Sequence, residues 1–315
     1  MRQQTIRKVI TVIAFLVGFA LLLSLLSWVY RPRDNTKEGG MDYVMANGYL
    51  GEAADSIDVF FIGSSEFYSG VSPMVIWERN GITSYDLATG AQRTYNADAA
   101  LVRMLKTHQP KLVVLDGYVA LKQGNPDEGV FAQLASWFNV LDNHENWKKF
   151  GPAQLAAPAV YTHREINKGF RANWHHTETS FAGYMTPSEE RWGIPLLNRM
   201  YLDHMRAVCA RAGVQVMFLV LPSPENWDWA HHNSLQDYAD AAGVPLLDLN
   251  LYVDELNIDP SVDFRDEGDH LNVKGARKVS EWLADWLRER YELPDRREEA
   301  QLALWHEDLE QYPEW

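Results

Sequence analysis

The feature that most constrains this chain is an uncharged, apolar run near the N-terminus, over residues 9–30. A helix of these 22 residues would be about 33 Å long, which is enough to cross the hydrocarbon core of a bilayer. Basic residues precede the run, and Trp28 and Tyr30 lie at its end, where aromatic side chains mark the membrane interface. We therefore predict an uncleaved signal-anchor helix over residues 1–30.

A cleaved signal peptide is the alternative reading of this segment. The apolar run is longer than the usual core of about 7–15 residues, and no small-x-small cleavage site precedes Arg31. Three basic residues flank the run on each side, so the positive-inside rule does not set the orientation. We expect an extracytoplasmic body, and protease accessibility in intact cells distinguishes it from an intracellular enzyme with a membrane tail.

Charge and composition exclude several classes of protein. The chain has 29 basic and 43 acidic residues, a net charge of −14, so it would repel nucleic acid. The 12% aromatic content indicates a folded core, and the single cysteine, Cys209, excludes an internal disulfide and a cysteine-rich zinc site. The net charge beyond residue 30 is −17. We therefore expect the body to stand off the membrane on an irregular segment at 31–40, within a linker and lead-in at 31–56.

The body alternates apolar segments of strand length with longer amphipathic segments, from about residue 57 to residue 290. This pattern predicts a parallel sheet covered by helices on both faces, with the active crevice beyond the carboxyl ends of the strands. The predicted strands are 57–63, 82–88, 111–117, 214–221 and 244–249, and the predicted helices are 73–80, 92–107, 194–212, 235–242 and 276–290.

Two segments depart from this alternation. Residues 121–192 are rich in Trp, His, Asn and Phe, and we interpret them as an insertion that either covers the crevice or forms a small second subdomain. Residues 291–315 form an acidic, aromatic tail for which we predict a peripheral helix.

Three loops at the predicted carboxyl edge carry residues suited to acyl-transfer chemistry. The first strand is followed by Gly63-Ser64-Ser65-Glu66, in which a serine at a helix start is either an exposed nucleophile or merely a cap. Gly90 follows the second strand, where its backbone could approach a ligand or form an ordinary turn. Near the C-terminus, His270 lies among several carboxylates, as either a general base with an orienting acid or a histidine in a solvated acidic loop.

This order of motifs, with its FIGSSE and DHLNVKGA strings, resembles the SGNH/GDSL hydrolase family over residues 58–290. The resemblance implies a flavodoxin-like three-layer α/β sandwich with a central parallel sheet. It implies that Ser65 is the nucleophile, that the N–H groups of Ser65 and Gly90 form the oxyanion hole, and that His270 is the base. No metal or organic cofactor is implied.

Two positions depart from the family pattern. The third block normally supplies an asparagine to the oxyanion hole, whereas this chain has Asp116 and no asparagine after the third strand, so Gln92 or Tyr118 would have to replace it. One such donor is worth about 2.7–4 kcal/mol of transition-state stabilisation. For the acid of the triad we prefer Asp266, and Glu267 and Asp269 remain open alternatives.

The GSSE motif and the N-terminal anchor look most like the membrane-tethered members of this family, which transfer D-alanyl groups to teichoic acids or acetylate exopolysaccharides. That resemblance implies a serine esterase or O-acyltransferase acting on acyl esters of cell-envelope glycans, beside a membrane-bound O-acyltransferase. The alternative is a catalytically inactive envelope protein that binds glycan or such a partner.

For the remaining conspicuous histidine, tryptophan and cysteine residues, a structural role is the favoured interpretation. The pairs at 175–176 and 231–232 are adjacent histidines without further ligands at suitable spacing, so we predict no metal site from them. Trp227 and Trp229, with Asn226, follow the fourth strand and could stack on a sugar, although core packing is the favoured reading. Cys209 is expected to be a small buried apolar residue.

Overall fold

The computed structural model describes residues 2–312. The N-terminal helix α1 spans Arg2–Val29, and from Gln3 onward it has a mean hydropathy of 2.9 in its most apolar window, none of which is buried. By length and composition this helix is able to cross a membrane, a property that a signal sequence would share.

The body is built on a five-stranded parallel sheet in the order β2-β1-β3-β4-β5. This is the flavodoxin-like order, so the predicted fold class is confirmed. Each predicted strand contains an observed one that is shorter at its ends, because only the central residues of each run pair with a neighbour. The strands are β1 (Val59–Ile62), β2 (Ser84–Asp86), β3 (Leu112–Asp116), β4 (Gln215–Val220) and β5 (Leu246–Asp248).

Helices connect the strands, and a small antiparallel hairpin precedes the last long helix. The hairpin strands are β6 (Phe264–Arg265) and β7 (His270–Leu271). The remaining helices are α2 (Val44–Asn47), α3 (Ser65–Gly70), α4 (Pro73–Asn80), α5 (Thr94–Met104), α6 (Gly117–Leu121), α7 (Pro126–Trp137), α8 (Val140–Asn143), α9 (Asn146–Lys149), α10 (Pro152–Ala156), α11 (Leu196–Ala212), α12 (Trp229–Ala242), α13 (Val273–Arg290) and α14 (Ala303–Glu310).

Two hydrophobic cores form, one on each face of the sheet. Alternate residues of β1 point to opposite faces, so Phe60 and Ile62 pack in one core while Val59 and Phe61 pack in the other. The first core is completed by α5, α11 and α12, and the second by α3 and α13. A sheet between two helical layers is the three-layer arrangement that the continuous apolar strands predict.

Capping side chains decide where two of these helices begin. The predicted Ser72 cap of α4 is present, because its Oγ accepts a hydrogen bond from the N–H of Val75 at 3.3 Å. Helix α12 begins six residues before the predicted start at 235, because the carboxylate of Asp228 accepts the N–H of His231 at 2.8 Å. Among the six residues that precede 235 in this helix, only Trp229 and Ala230 are apolar, and they are adjacent, so no helical hydrophobic periodicity revealed this part of α12.

The second half of the insertion, residues 157–195, contains neither helix nor strand and runs across the domain as an irregular strap. Its carbonyl at Lys168 accepts the N–H of Asp86, and the N–H of Arg171 donates to the carbonyl of Tyr68 at 2.6 Å. Further along, the N–H of Thr177 donates to the carbonyl of Phe264. The strap therefore passes over β2, α3 and the β6–β7 hairpin in turn.

The segment after α1 is irregular over residues 31–40, as predicted, but it packs against the body instead of forming a free spacer. Asn35 is fully buried, and its Nδ2 donates to the carbonyl of His163 in the strap at 2.7 Å. Arg33, also buried, donates to the carbonyls of Val29 and Leu155. Because these side chains join the end of α1 to the body, the domain is held close to α1.

The C-terminal tail is integrated into the body. Trp305 on α14 is 1% exposed and packs against the indole of Trp77, with ring centroids 5.2 Å apart. The next turn of α14 places Asp308 against the fully buried ammonium of Lys168, which also contacts Glu52 at 2.8 Å. The predicted peripheral helix thus carries part of the core.

We expect Trp305→Ala to lower the free energy of unfolding by about 3–5 kcal/mol, because it leaves a cavity beside Trp77. The measurement is denaturant unfolding of the full chain in detergent. The neighbouring Leu304, 44% exposed, provides the control, since Leu304→Ala should change stability by no more than about 0.5 kcal/mol. Equal effects of the two substitutions would show that the tail is not part of the core.

Candidate active site

The turn after β1 is held by a close contact with the end of β3. A Cβ atom on Gly63 would lie 2.3 Å from the Cβ of Asp116, so only glycine fits there. The Oδ2 of Asp116 accepts both the N–H of Ser64, at 2.9 Å, and its Oγ–H, at 2.7 Å. The Oδ1 accepts the N–H of Tyr118. Asp116 therefore anchors the first motif and caps α6 at the same time.

Helix α3 begins directly after this anchored residue. Ser64 is its N-cap, and its Oγ accepts the N–H of Glu66 at 3.3 Å. Ser65 is the first helical residue, so its N–H has no acceptor within the helix. Ser64 and Glu66 are buried, whereas Ser65 between them is partly exposed. The structure thus makes Ser64 the structural serine and leaves Ser65 accessible, as the motif predicts.

His270 begins β7 and faces two carboxylates. Its Nδ1 lies 3.1 Å from an oxygen of Asp269 and 3.3 Å from an oxygen of Asp266. These contacts have ion-pair distances without hydrogen-bond alignment, and neither ring nitrogen has a hydrogen-bond partner among residues 2–312. With Nδ1 on the carboxylate side, the buried Nε2 is available on the opposite side of the ring.

The serine turn and His270 lie together although they are far apart in the sequence. Helix α3 packs against β7, and the carboxyl of Glu66, the residue after Ser65, lies within 4.8 Å of both an imidazole nitrogen of His270 and a carboxylate oxygen of Asp269. Parallel strands bring their carboxyl ends to one edge of the sheet, and the hairpin extends to that edge. The first and last motifs therefore share one site.

Burial and local contacts shift the pKa values of Glu66 and Asp269 in opposite directions. Desolvation, together with the charges of Asp116 and Asp269, raises the pKa of Glu66 well above its usual value, which favours the protonated form of this carboxyl. Burial alone would also raise the pKa of Asp269, but its contacts with His270 and Asn226 outweigh that effect and lower it. Asp269 is therefore the ionised carboxylate in contact with the imidazole and shielded from solvent by more than half.

The other two candidate acids are arranged differently. Asp266 has a positive φ of 55° and a side chain that is 51% exposed and paired with Arg265. Glu267, with φ 59°, donates its N–H to Thr177 Oγ1 at 2.7 Å. Among the residues that the structure describes, Glu267 makes no ion pair with His270.

The loop after β2 lies against the serine turn. The N–H of Thr89 donates to the carbonyl of Gly63 at 3.1 Å, and a Cβ on Gly90 would lie 3.7 Å from the hydroxyl of Tyr68 on α3. The Nε2 of buried Gln92 donates to Thr89 Oγ1 at 3.0 Å, which turns this amide back on its own loop. Gly90 thus lies beside α3, as an oxyanion-hole residue would require.

Asn226 is a site residue for which the sequence suggested a different role. It follows β4, and its Nδ2 donates to Asp269 and to Ser223 Oγ, while its Oδ1 accepts the hydroxyl of Tyr118 at 3.4 Å. Burial, followed by the charges of Glu66 and Asp269, raises the pKa of Tyr118 to about 12, so this hydroxyl stays protonated. The useful sequence signal was its position after a strand, where side chains meet at the sheet edge.

A cavity of about 920 Å³ opens beside the Gly90 loop. Its wall includes Gly90 and Gln92 but neither Ser65 nor His270. The Oε1 of Gln92 and the Nη1 of Arg93 have no hydrogen-bond partner in the described chain. The other lining residues come from the lead-in, the loop after β2, α5, α7 and α8: Met41, Asp42, Tyr43, Ala46, Asn47, Tyr49, Leu87, Thr89, Ala91, Tyr95, Asn96, Ala99, Ala100, Arg103, Asp127, Glu128, Phe131, Ala132, Asp142 and Asn143.

Trp227, His231 and His232 make structural contacts within the body of the protein. Trp227 is 3% exposed and donates its Nε1–H to Asp248, which also contacts Nδ1 of His232 at 2.8 Å. Trp227 is therefore a core residue and unavailable to stack on a sugar. His231 contacts Asp228 and stacks on Trp227.

One cluster has a composition that suits a divalent cation. Glu66, Asp269 and His270 each offer one ligand atom within 4.8 Å of the others. Carboxylate oxygens and imidazole nitrogens are ligand types that zinc accepts in proteins. The raised pKa of Glu66 opposes metal binding, because a carboxyl must lose its proton to act as a ligand.

No protein-family model matches the sequence, and comparison with curated proteins finds no significant match. Among solved structures, the chain is similar to the lipase/acylhydrolase from Enterococcus faecalis, with 12% identity, a TM-score of 0.37, and coverage of 74% of this chain and 96% of that one. It is also similar to a GDSL-like lipase from Bacteroides thetaiotaomicron, with 13% identity, a TM-score of 0.39, and coverage of 78% and 100%.

The positions of individual residues in this chain describe its site in more detail than the overall likeness to those structures. The sheet has the flavodoxin-like order, Ser65 begins a helix after the first strand, and Gly90 lies beside that helix. His270 lies next to the serine turn from the opposite end of the chain. In its fold, the protein is similar to solved structures of GDSL-like lipases and acylhydrolases.

Proposed function

We propose that the protein is a serine esterase or O-acyltransferase in which Ser65 and His270 act on an acyl ester. The observation that carries this proposal is the meeting of an accessible serine turn with an imidazole whose Nδ1 faces carboxylates and whose Nε2 has no hydrogen-bond partner among residues 2–312. A nucleophile, a base and an orienting acid in that order are what acyl transfer through serine requires.

In the proposed reaction, His270 Nε2 takes the proton of Ser65 Oγ as that oxygen attacks the acyl carbonyl carbon. The N–H groups of Ser65 and Gly90 stabilise the resulting oxyanion. When the ester bond breaks, the imidazolium returns the proton to the leaving alcohol and an acyl-serine remains. Water then yields the free acid, whereas a sugar hydroxyl yields a new ester.

We assign the orientation of His270 to Asp266 and Asp269 together, with Asp269 contributing more. Asp269 is the nearer carboxylate, is less exposed, and is held by Asn226, whereas Asp266 is half exposed and pairs with Arg265. A carboxylate that is shielded from solvent interacts more strongly with a developing imidazolium than an exposed one. Glu267 makes no such contact and receives no role in this proposal.

We further propose that α1 is an uncleaved anchor that places the body outside the cytoplasmic membrane, where the substrates are acyl esters of cell-envelope glycans. The length of α1 and the absence of buried residues from its most apolar window support the anchor, and the GSSE motif supports the substrate class. A membrane-bound O-acyltransferase is the proposed partner, since it would supply an acyl group at the same surface.

One observation favours a second candidate, a non-catalytic glycan- or partner-binding protein. Where the family uses an asparagine donor, Asp116 accepts hydrogen bonds from Ser64 and Tyr118. A carboxylate that only accepts hydrogen bonds cannot stabilise an oxyanion. The oxyanion hole would then depend on backbone groups alone, or on the protonated hydroxyl of Tyr118.

Ser65→Ala should abolish labelling by a fluorophosphonate probe and lower ester hydrolysis at least about 10³-fold, because the variant has no nucleophile. The measurement is probe labelling of the full chain followed by mass spectrometry. The exposed Ser261→Ala is the matched control and should label like the wild type. Equal labelling of wild type and Ser65→Ala would instead favour the binding protein.

Asp269→Asn should lower kcat/KM by about 10²–10⁴-fold, because it removes the carboxylate that orients His270 and stabilises its charged form. Asp266→Asn should lower kcat/KM less. The comparison uses a chromogenic acetyl ester, with circular dichroism to verify that both variants are folded. A larger loss in Asp266→Asn would reverse the assignment of the main orienting acid.

Glu66→Gln should become progressively more stable than the wild type as the pH rises above about 4.5. The folded wild type keeps a proton on Glu66 that the unfolded chain releases, so its free energy of unfolding falls with pH until the raised folded-state pKa is passed. Denaturant unfolding at several pH values measures the difference, with exposed Glu307→Gln as control. A difference that does not change with pH would contradict a neutral Glu66.

A further inference from the structure

The insertion contains an apolar face that no other described part of the chain covers. We call the segment α7–α9 the interface layer. Four residues of α7 are exposed, at 62% for Val130, 50% for Phe131, 39% for Leu134 and 66% for Trp137. Their spacing places them along one side of the helix. Trp147 on α9 adds a further exposed indole, at 59%.

This layer is attached to the end of α1. Helix α8 packs on α1, and the N–H of Val140 donates to the Oγ of Ser27 at 3.1 Å. The Nδ2 of Asn146 donates to the carbonyl of Tyr30 at 3.0 Å. Since Ser27 and Tyr30 belong to the uncharged run of residues 9–30, the layer meets α1 at the level of its last apolar turn.

The exposure pattern of α1 agrees with this attachment. The half-buried residues at the end of this segment are Ala20, Leu23, Leu26, Ser27, Val29 and Tyr30, whereas the described side chains before Ala20 are exposed. Positions three or four residues apart lie on one face, so one side of the last turns of α1 is covered by the body. The opposite side, including Trp28 at 61% exposure, remains open.

The carboxylates of the interface layer lie along the cavity or in an ion pair. Of its four carboxylates, Asp127, Glu128 and Asp142 line the cavity, and Glu145 pairs with Lys148 at 3.0 Å. Lys148 and Lys149 are exposed beside Trp147. Indoles with neighbouring lysines are the composition found where a protein surface meets lipid headgroups.

From this geometry we infer that the apolar face of the interface layer lies in the headgroup region of the membrane leaflet from which α1 emerges. Two elements then attach the body to the bilayer: α1 spans it, and the interface layer lies in its headgroup region. This inference depends on the proposed role of α1 as an anchor. It replaces the expected stand-off, because apolar contact rather than net charge holds the acidic body at the surface.

Nitroxide labels on the full chain in phosphatidylcholine vesicles test this inference. Leu16→Cys reports the middle of α1, Trp137→Cys the interface layer, and Leu251→Cys, 44% exposed after β5, an aqueous surface. The native Cys209 is fully buried and should remain unlabelled. Each label is compared for collisions with oxygen, which concentrates in lipid, and with a water-soluble nickel chelate.

We expect the label at 137 to collide with nickel several-fold less, and with oxygen more, than the label at 251, and to lie shallower than the label at 16. Nickel collisions at 137 equal to those at 251, with 16 in hydrocarbon, would overturn the inference while leaving the anchor intact. Shielding of 137 from both reagents would also overturn it, since a protein partner would then cover the face. An aqueous label at 16 would refute the anchor itself.

Discussion

The site depends on the contact between Gly63 and Asp116. The two residues end neighbouring strands, and the absence of a side chain at 63 allows the carboxylate of Asp116 to reach the backbone and hydroxyl of Ser64. This buried interaction sets where α3 begins, and therefore which of the two serines faces outward. Asp116 serves here as an acceptor that holds the turn.

From that anchored turn outward, the site is assembled by side chains that each neutralise or orient a neighbour. The pKa of buried Glu66 is raised, whereas that of Asp269 beside His270 is lowered. Asn226 donates a hydrogen bond to Asp269 and accepts one from the hydroxyl of Tyr118. This arrangement favours an ionised carboxylate next to the imidazole, which is what the proposed role of His270 as a base requires.

The proposed position of the interface layer on the membrane also determines where the cavity beside Gly90 lies. Its wall includes Asp127 and Asp142 of the interface layer on one side and the Gly90 loop on the other. A layer that contacts lipid through one face and bounds a cavity through the other would bring that cavity close to the bilayer surface. A substrate attached to the envelope, or an acyl donor made in the membrane, would then reach the site without leaving that surface.

The sequence alone determined the features that depend on neighbouring residues or on periodicity. Apolar runs predicted all five strands of the sheet, Ser72 and Pro73 predicted the start of α4, and the uncharged run predicted α1. Motif order also predicted that the loops carrying Ser65, Gly90 and His270 share one edge of the sheet, because parallel strands bring their carboxyl ends to the same edge. Tertiary structure decided the rest. Contacts between distant segments raise the pKa of Glu66, bring Asn226 into hydrogen-bond contact with Asp269, and bury both Trp227 and the lead-in. Burial by distant segments leaves no local pattern in the sequence.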